Sequence, residues 1–254
     1  MIILLDAGNT RLKWASLPTL EHEISDHGVI DYSSLPDLSG IQANKSIVEC
    51  VAISSVAGEE RNGQLIQACL SAFAIEPIFA KVTKHAGGVI NDYLALDRLG
   101  VDRWVAALGV RDVDESDGNY IVVDAGTAVT VDVLDRERVF RGGVILPGAR
   151  LMHDSLVGKT AGIRSKMKSV GSVIGRDTNQ CVNAGAYYGL AGAVERVIEE
   201  CVDSVGNDSP WKVIVCGGDA RWLAKSLKTQ LPVSVQSSLI FHGLLCLLRS
   251  GEFK

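Results

Sequence analysis

Two short turns in the sequence carry side chains that can bind phosphate and a cation. In the first, residues 6–10 read Asp-Ala-Gly-Asn-Thr after an apolar run, and Lys13 follows. Gly8 can adopt positive φ and Asn9 tolerates left-handed backbone, so their N–H groups could form an anion nest. The threonine hydroxyl and the lysine ammonium add donors for phosphate oxygens, while the aspartate can hold a metal ion or its waters. The turn predicts a nucleotide phosphate site, and a plain hairpin turn is the alternative.

The same pattern returns about half a chain later. Residues 124–127 read Asp-Ala-Gly-Thr after another apolar run. Asp124 is a candidate cation ligand, and Gly126 and Thr127 suit a phosphate. Neither turn matches the P-loop pattern G-x-x-x-x-G-K-S/T or the dinucleotide-binding pattern G-x-G-x-x-G. The echo predicts two similar α/β halves that face a shared cleft and clamp phosphates between them, with coincidence as the alternative.

A third candidate lies where a predicted helix begins. Residues 100–103 read Gly-Val-Asp-Arg. A helix N-terminus with Arg103 beside it can bind a small anion such as a carboxylate. Asp102 is suited to accept a proton from a substrate hydroxyl. The alternative is a helix cap with a surface ion pair.

Three further segments each have a functional and a structural interpretation. Residues 142–148 form a predicted strand flanked by glycines, which favours a backbone that approaches a ligand or a partner. Residues 216–219 read Cys-Gly-Gly-Asp and could either give a nucleotide base a flat surface or form a plain turn. Thr178 precedes a predicted helix, where its hydroxyl could cap the helix or face a substrate.

The elements that must position these residues alternate along the chain. Strands are predicted at residues 2–5, 47–54, 120–123, 143–146 and 212–216, and residues 12–17 could form one more. Helices are predicted at residues 61–73, 98–110, 181–202 and 220–229. This alternation is typical of an α/β fold. The polar run at residues 111–119 predicts the boundary between lobes formed by residues 1–113 and 114–254.

Composition argues against several functional classes. The 254 residues carry a net charge of −5 without a basic block, which disfavours nucleic-acid binding. The six cysteines form no C-x-x-C pair, and the five histidines share no metal-ligand spacing. The N-terminus lacks the basic region of a signal peptide, and no apolar run approaches the ~18 residues of a membrane span. We therefore expect a cytoplasmic protein that binds neither nucleic acid nor a membrane.

Taken together, in this order and spacing, the motifs resemble those of type III pantothenate kinases, some of which have been labelled Bvg accessory factors. The resemblance covers nearly the whole chain and places it in the actin, sugar-kinase and Hsp70 superfamily. It implies two RNase H-like lobes, with mixed sheets flanked by helices, related by internal duplication. It also implies a homodimer that uses ATP with Mg²⁺ to phosphorylate pantothenate at its primary hydroxyl, the first step of coenzyme A synthesis.

The resemblance further implies roles for individual residues. Asp102 is the implied proton acceptor, and Asp124 is the implied ligand of a monovalent cation, K⁺ or NH₄⁺. Contacts with pantothenate are implied for Tyr93, Gly100, Val101, Asp102, Arg103 and Thr178. Contacts with ATP are implied for Asp6, Ala7, Gly8, Asn9, Thr10, Arg11, Leu12, Lys13 and Thr127. Residues 216–219 resemble the family's adenosine motif.

The chain departs from the family pattern in three places. Asp97 stands where the family often has a proline, Ala125 occupies a variable position of the second turn, and residues 165–171 lack the expected apolar, proline-containing form. These departures concern loop shape and affinity. Two other functions remain as alternatives: a kinase of the same superfamily with another small hydroxyl or acid substrate, and a nucleotide-binding accessory protein without catalysis.

Overall fold

The computed structural model describes residues 1–24, 26–31, 38, 41, 48–114 and 116–253. Residue 47 of the predicted strand 47–54 and residue 115 of the predicted boundary lie outside this set. The strands are β1 (Ile2–Ala7), β2 (Arg11–Leu17), β3 (Asp26–Asp31), β4 (Cys50–Ser55), β5 (Ile78–Phe79), β6 (His85–Ala86), β7 (Val89–Asn91), β8 (Asn119–Ala125), β9 (Ala128–Leu134), β10 (Val139–Pro147), β11 (Trp211–Cys216) and β12 (Val233–Val235). The helices are α1 (Glu59–Phe73), α2 (Val101–Val113), α3 (Ala149–Lys159), α4 (Thr178–Val205), α5 (Ala220–Ser226) and α6 (Leu239–Ser250).

The chain divides into two compact units. The first consists of Met1–Glu115 with Ser238–Lys254, and the second consists of Ser116–Ser237. The predicted lobes, 1–113 and 114–254, differ from these units in the C-terminal segment, which contains α6. Helix α6 packs on α2, β1 and β4, so it belongs to the first unit although it lies at the end of the chain.

Each unit contains a mixed sheet with the same strand order. The order is β3-β2-β1-β4-β5 in the first unit, and the strands of the second run β10-β9-β8-β11-β12. Strand β1 pairs antiparallel with β2 and parallel with β4. Strand β8 likewise pairs antiparallel with β9 and parallel with β11. The repeated order and direction support the internal duplication that the two similar turns predict.

Helices cover both faces of the first sheet. Successive side chains of a strand point to opposite faces. On one face, Leu65 of α1 is buried with Ile3 of β1 and Ile53 of β4. Helices α2 and α6 pack against β1 and β4, so they cover the other face, which carries Leu4 and Asp6. Full burial of each large apolar side chain stabilises the unit by about 1.5–3 kcal/mol.

Two glycines allow α2 and α6 to cross closely. Gly109 of α2 lies against the carbonyl oxygen of Leu239, and Gly243 of α6 lies against that of Val105. A Cβ atom at either glycine would collide with the opposing backbone. The crossing fixes α2, and therefore the N-terminal turn that carries Asp102, relative to the first sheet.

In the second unit, one face of the sheet packs on α4. Ile121 and Val123 of β8 are buried in one cluster with Leu190 and Val194 of α4. Because strand side chains alternate, Asp124 points to the opposite face. The buried apolar residues of β8 thus anchor the end of the strand that carries Asp124.

The predicted α/β elements are largely confirmed. The six predicted strands correspond to β1, β2, β4, β8, β10 and β11. The four predicted helices correspond to α1, α2, α4 and α5. Helix α6 was not among the predicted elements, although most of its side chains are apolar and buried. Among the described residues, no helix combines the length and apolar character needed to cross a membrane.

Candidate active site

The first phosphate turn joins β1 to β2. Asp6 lies opposite Lys13 in the antiparallel ladder. The Lys13 Nζ donates to Asp6 Oδ2 at 3.1 Å, and Asp6 is 8% exposed. Asn9 and Thr10 are exposed at the tip of the turn. The ladder register therefore places the Asp6 carboxylate and the Lys13 ammonium group side by side, next to a turn with two exposed polar side chains.

Part of the expected chemistry of this turn is wrong. Neither Gly8 nor Asn9 has positive φ. The Gly8 N–H donates to the Arg11 carbonyl at 3.1 Å, so it closes the hairpin and is not available for a phosphate nest. Leu12 packs with its side chain fully buried, as Ala7 does, so any contact of either residue with a nucleotide runs through the backbone.

A buried serine next to Asp6 escaped the sequence analysis. Ser54 pairs in register with Asp6 across the parallel strands β1 and β4. It is 1% exposed, and its Oγ has no hydrogen-bond partner within the described residues. Buried polar atoms normally find a partner, so such an atom points to a water or ion. The sequence offered one signal for this residue, since Ser54 is the last residue of the predicted strand 47–54.

The N-terminus of α2 holds the predicted proton acceptor. Asp102 is partly exposed in the first helical turn, and its Oδ1 accepts the Arg103 N–H at 2.8 Å. A Cβ atom on Gly100 would lie 2.6 Å from that oxygen. Glycine at the N-cap thus leaves space for the Asp102 carboxylate, as a base that receives a substrate proton requires.

Tyr93 and Arg103 are brought together, as expected of residues that share a substrate. The Arg103 guanidinium carbon lies 5.6 Å from the centre of the Tyr93 ring, and Arg103 is 6% exposed. Buried Asn91 holds the tyrosine in place, since its Oδ1 accepts the Tyr93 N–H at 3.1 Å and its Nδ2 donates to the Thr83 carbonyl at 3.2 Å. A cation over an aromatic face is stabilised by the ring quadrupole.

The second turn, between β8 and β9, is tied to two other segments by backbone hydrogen bonds. The Gly126 N–H donates to the Ala128 carbonyl at 3.0 Å, which closes the turn. The Gly148 N–H donates to the Thr127 carbonyl at 2.9 Å, and the Asp219 N–H donates to the Ala125 carbonyl at 2.9 Å. Residues 216–219 and the start of α3 are therefore both hydrogen-bonded to the turn that carries Thr127.

Three glycines permit this convergence. Gly217, with φ of 92°, lies against Asp124 Oδ1 and the Ala125 carbonyl, so a side chain there would displace the carboxylate. Gly148 lies against the carbonyl oxygens of the second turn, and Gly143 lies against the backbone of β9. The close backbone approach predicted for residues 142–148 therefore occurs between strands and turns of the second unit. These contacts explain the glycines without a ligand or a partner.

Thr178 is the first residue of α4, but it does not cap the helix. The cap is Asp177, whose Oδ1 accepts the Gln180 N–H at 2.8 Å. The capping interpretation of Thr178 is therefore wrong, and its side chain is exposed. The predicted role of Thr178 in substrate binding remains a prediction.

Within the described residues, no group of three or more histidine, cysteine or acidic side chains could hold a metal ion. A divalent ion that arrives with a nucleotide needs no such group, because Mg²⁺ usually keeps several waters and needs one or two protein carboxylates. The carboxylate of Asp6 beside the unpartnered hydroxyl of Ser54 suits such an ion and its waters.

Residues 2–200 match the sequence model of the type III pantothenate kinase family. A type III pantothenate kinase of Teredinibacter turnerae is 35% identical over 97% of this chain and 98% of its own length. The chain belongs to the type III pantothenate kinase family. A second family member, the type III pantothenate kinase of Acinetobacter baumannii, is 34% identical over 94% of both chains.

Solved structures show the same fold at low sequence identity. Component A of (R)-2-hydroxyglutaryl-CoA dehydratase from Acidaminococcus fermentans has a TM-score of 0.55 and 13% identity, over 98% of this chain and 96% of its own. The activator of 2-hydroxyisocaproyl-CoA dehydratase from Clostridium difficile, solved with bound ADPNP, has a TM-score of 0.51 and 14% identity, over 98% and 93%. This pantothenate kinase family member therefore shares its two-sheet architecture with both of these proteins.

Proposed function

We propose that this protein phosphorylates pantothenate with ATP, giving 4'-phosphopantothenate in the first step of coenzyme A biosynthesis. The observation that carries the proposal is membership of the type III pantothenate kinase family over residues 2–200, with Asp102, Arg103 and Tyr93 gathered at the start of α2. These residues offer a base and an anion site, which are the two groups that a hydroxy acid requires.

On the acceptor side, each residue has a distinct task. Arg103, beside Tyr93, binds the pantothenate carboxylate, because a guanidinium matches a carboxylate with two parallel hydrogen bonds. Asp102 accepts the proton of the primary hydroxyl as that oxygen attacks phosphorus. Gly100 and Val101 contact the substrate through the helix start, and Thr178 contributes its hydroxyl from α4.

On the nucleotide side, the two turns stabilise charge. Lys13 and the hydroxyls of Thr10 and Thr127 contact phosphate oxygens, and Asp6 holds the waters of Mg²⁺. Bound Mg²⁺ supplies charge neutralisation at the phosphates. Phosphoryl transfer has a loose transition state, so positioning and electrostatic stabilisation account for most of the rate enhancement.

Asp124 is proposed to bind a monovalent cation, K⁺ or NH₄⁺. In support, Asp124 lies at the end of β8 on the sheet face opposite α4, and glycine at position 217 leaves room for its carboxylate. Asp6 already serves the divalent ion, and a large, weakly hydrated cation could bridge Asp124 and phosphate oxygens. The alternative is an Asp124 that only stabilises its turn.

A homodimer in the cytoplasm completes the proposal. Exposed apolar side chains of the second unit, including Ile145 at 61% and Tyr188 at 49%, support an interface between subunits. None of the six cysteines, all of which lie within the described residues, forms a disulfide, as expected in a reducing compartment. The duplicated halves are proposed to be residues 1–113 and 114–254, with α6 packed back on the first unit.

A coupled ADP-release assay tests the proposed function. Purified protein is incubated with MgATP and pantothenate, or with a panel of sugars and small acids, in buffers that contain K⁺. ADP release that requires pantothenate, and that Asp102→Asn lowers about a hundredfold or more while pantothenate binding persists, is the expected result. Faster turnover of another acceptor would favour the alternative kinase. ATP binding without turnover of any acceptor would favour the accessory protein.

A further inference from the structure

A buried histidine holds the segment that connects α3 to α4. His153 of α3 is 3% exposed; its Nδ1 lies 2.9 Å from Asp154 Oδ1, and its Nε2 lies 3.0 Å from Ser165 Oγ. Residues 160–177 contain neither a helix nor a strand. The position of this segment therefore depends on side-chain contacts such as those of His153.

Two amides of α4 fix the direction of the hydrogen bonds around the histidine. Asn179 Oδ1 accepts the Lys166 N–H at 2.7 Å, and Asn183 Oδ1 accepts the Lys168 N–H at 2.8 Å. Since a backbone N–H can only donate, both amide atoms are oxygens, which can only accept. Ser165 Oγ lies 2.8 Å from Asn179 Oδ1, so the serine must donate its single proton to that oxygen.

The same logic sets the protonation of the imidazole. With its proton given to Asn179, Ser165 can only accept from His153 Nε2, which must carry a hydrogen. The other ring nitrogen faces the carboxylate of Asp154, which is also an acceptor. When all these bonds form, both ring nitrogens are protonated, and the imidazolium charge is balanced by Asp154.

We propose that His153 is a positioning residue for pantothenate binding. As an imidazolium, it holds residues 165–168 against the first turns of α4, and these turns carry Thr178. This step rests on the proposed function of Thr178, since the benefit to catalysis depends on that contact. Replacing the imidazole with a side chain that cannot donate removes the donor to Ser165 and loosens the segment, so pantothenate binding weakens.

Most of the described groups around the imidazole are uncharged. The segment 165–168 presents a hydroxyl and two backbone N–H groups, and α4 presents two amides, none of which titrate. Strand β10 also packs on α3, and its Arg141 is paired with Asp135 at 2.7 Å. Asp154, on the helix of His153 itself, is the acidic partner recorded against the ring in the described residues.

Nuclear magnetic resonance tests the protonation state without any assay of activity. The ¹⁵N shifts of the ring nitrogens are measured at about pH 6, within the range where histidine titrates, and the His153 signals are assigned by their loss in His153→Gln. Two protonated nitrogens are expected. A neutral ring with one bare nitrogen would overturn the inference. Because no substrate is involved, this result is independent of whether the protein phosphorylates pantothenate.

Steady-state kinetics tests the positioning role. In His153→Ala, the KM for pantothenate is expected to rise about fivefold to tenfold, while the KM for ATP stays constant. His153→Gln can still donate to Ser165, so it should restore most of the wild-type KM. Ser165→Ala should raise the KM for pantothenate as His153→Ala does. His27→Ala, at an exposed histidine, is the matched control and should keep the wild-type values.

Two results would overturn the positioning role. One is a wild-type KM for pantothenate in His153→Ala. The other is an equal rise of both KM values in Ser165→Ala, because a general loss of structure, unlike a shift of the segment 165–168, would affect ATP and pantothenate alike.

Discussion

Gly100 lies directly beside the carboxylate of Asp102, so that a Cβ atom on the glycine would stand 2.6 Å from Asp102 Oδ1. The φ of Gly100 is −58°, which any residue adopts, and the constraint is therefore space and not backbone conformation. A small residue at the helix start thus determines where the proposed base can point.

Gly100→Ala is expected to lower kcat by about tenfold or more, because the added methyl group displaces the Asp102 carboxylate from the acceptor hydroxyl. Folding should be nearly unaffected. Gly63→Ala is the matched control, since nothing lies within 4 Å of its added Cβ and the site is in the interior of α1. It should leave kcat unchanged and stabilise the protein by about 0.5–1 kcal/mol. Equal kcat values in the two variants would contradict the spatial argument.

Arg103→Lys is expected to raise the dissociation constant for pantothenate about tenfold and to change that for ATP far less. Lysine keeps the charge but loses the planar fork that matches a carboxylate and stacks on Tyr93. Isothermal titration calorimetry with each ligand measures both constants. Arg98→Lys, at a side chain that is 83% exposed, should change neither. Similar losses for both ligands in Arg103→Lys would indicate a structural ion pair instead.

Activity is expected to depend on K⁺ or NH₄⁺ more than on Na⁺, and the dependence should disappear in Asp124→Asn. The reason is that the amide loses the charge that attracts a weakly hydrated cation. Rates are measured while KCl replaces NaCl at constant ionic strength. Equal rates in the two salts would rule out the cation site. A K⁺ response that survives in Asp124→Asn would place the site elsewhere.

Stability in acid is expected to depend on Asp112. Burial raises the pKa of Asp112, but the hydrogen bond from His242 at 2.6 Å and the charge of Arg249 outweigh burial and hold the pKa below its ordinary value of 3.8. A carboxylate with a lowered folded pKa stabilises the fold above the unfolded pKa, and this contribution is lost as pH falls through the folded pKa.

Asp112→Asn should therefore lower the free energy of unfolding by about 1–3 kcal/mol at neutral pH, and the difference from wild type should shrink below about pH 4. Urea denaturation at a series of pH values measures this difference. Asp97→Asn is the control, because its carboxylate is 82% exposed and a surface pair contributes little. A constant difference at all pH values would refute the linkage to Asp112.

Cys69 is expected to resist alkylation in the folded protein. Burial raises the pKa of its thiol to about 12, and the thiolate is the reactive form. Cys181 is exposed and should react first. Iodoacetamide labelling followed by peptide mass spectrometry, with and without urea, separates the two sites. Labelling of Cys69 at the rate of Cys181 without urea would contradict its burial.

Local pattern alone determined much of this protein. The two Asp-x-Gly turns follow apolar strands, and a strand end, a glycine and a hydroxyl are readable without any long-range contact. The helix start at Gly100 and the alternation of strands and helices are equally local, and they predicted the α/β fold, Asp102 and Asp124. Similarity between the two turns also indicated the duplication, since both copies lie on equivalent strands of sheets with the same order.

Tertiary structure decided what depends on contacts between distant residues. Helix α6 joins the first unit because glycines at positions 109 and 243 let it cross α2, a contact that no local pattern reports. The Gly8 N–H closes the hairpin by donating to the Arg11 carbonyl, a hydrogen bond that the register of the antiparallel ladder sets. The hydrogen bonds of buried His153 to Asp154 and Ser165, and that of Ser165 to Asn179 of α4, could not be predicted from the sequence, because only folding brings α3, α4 and the segment between them together.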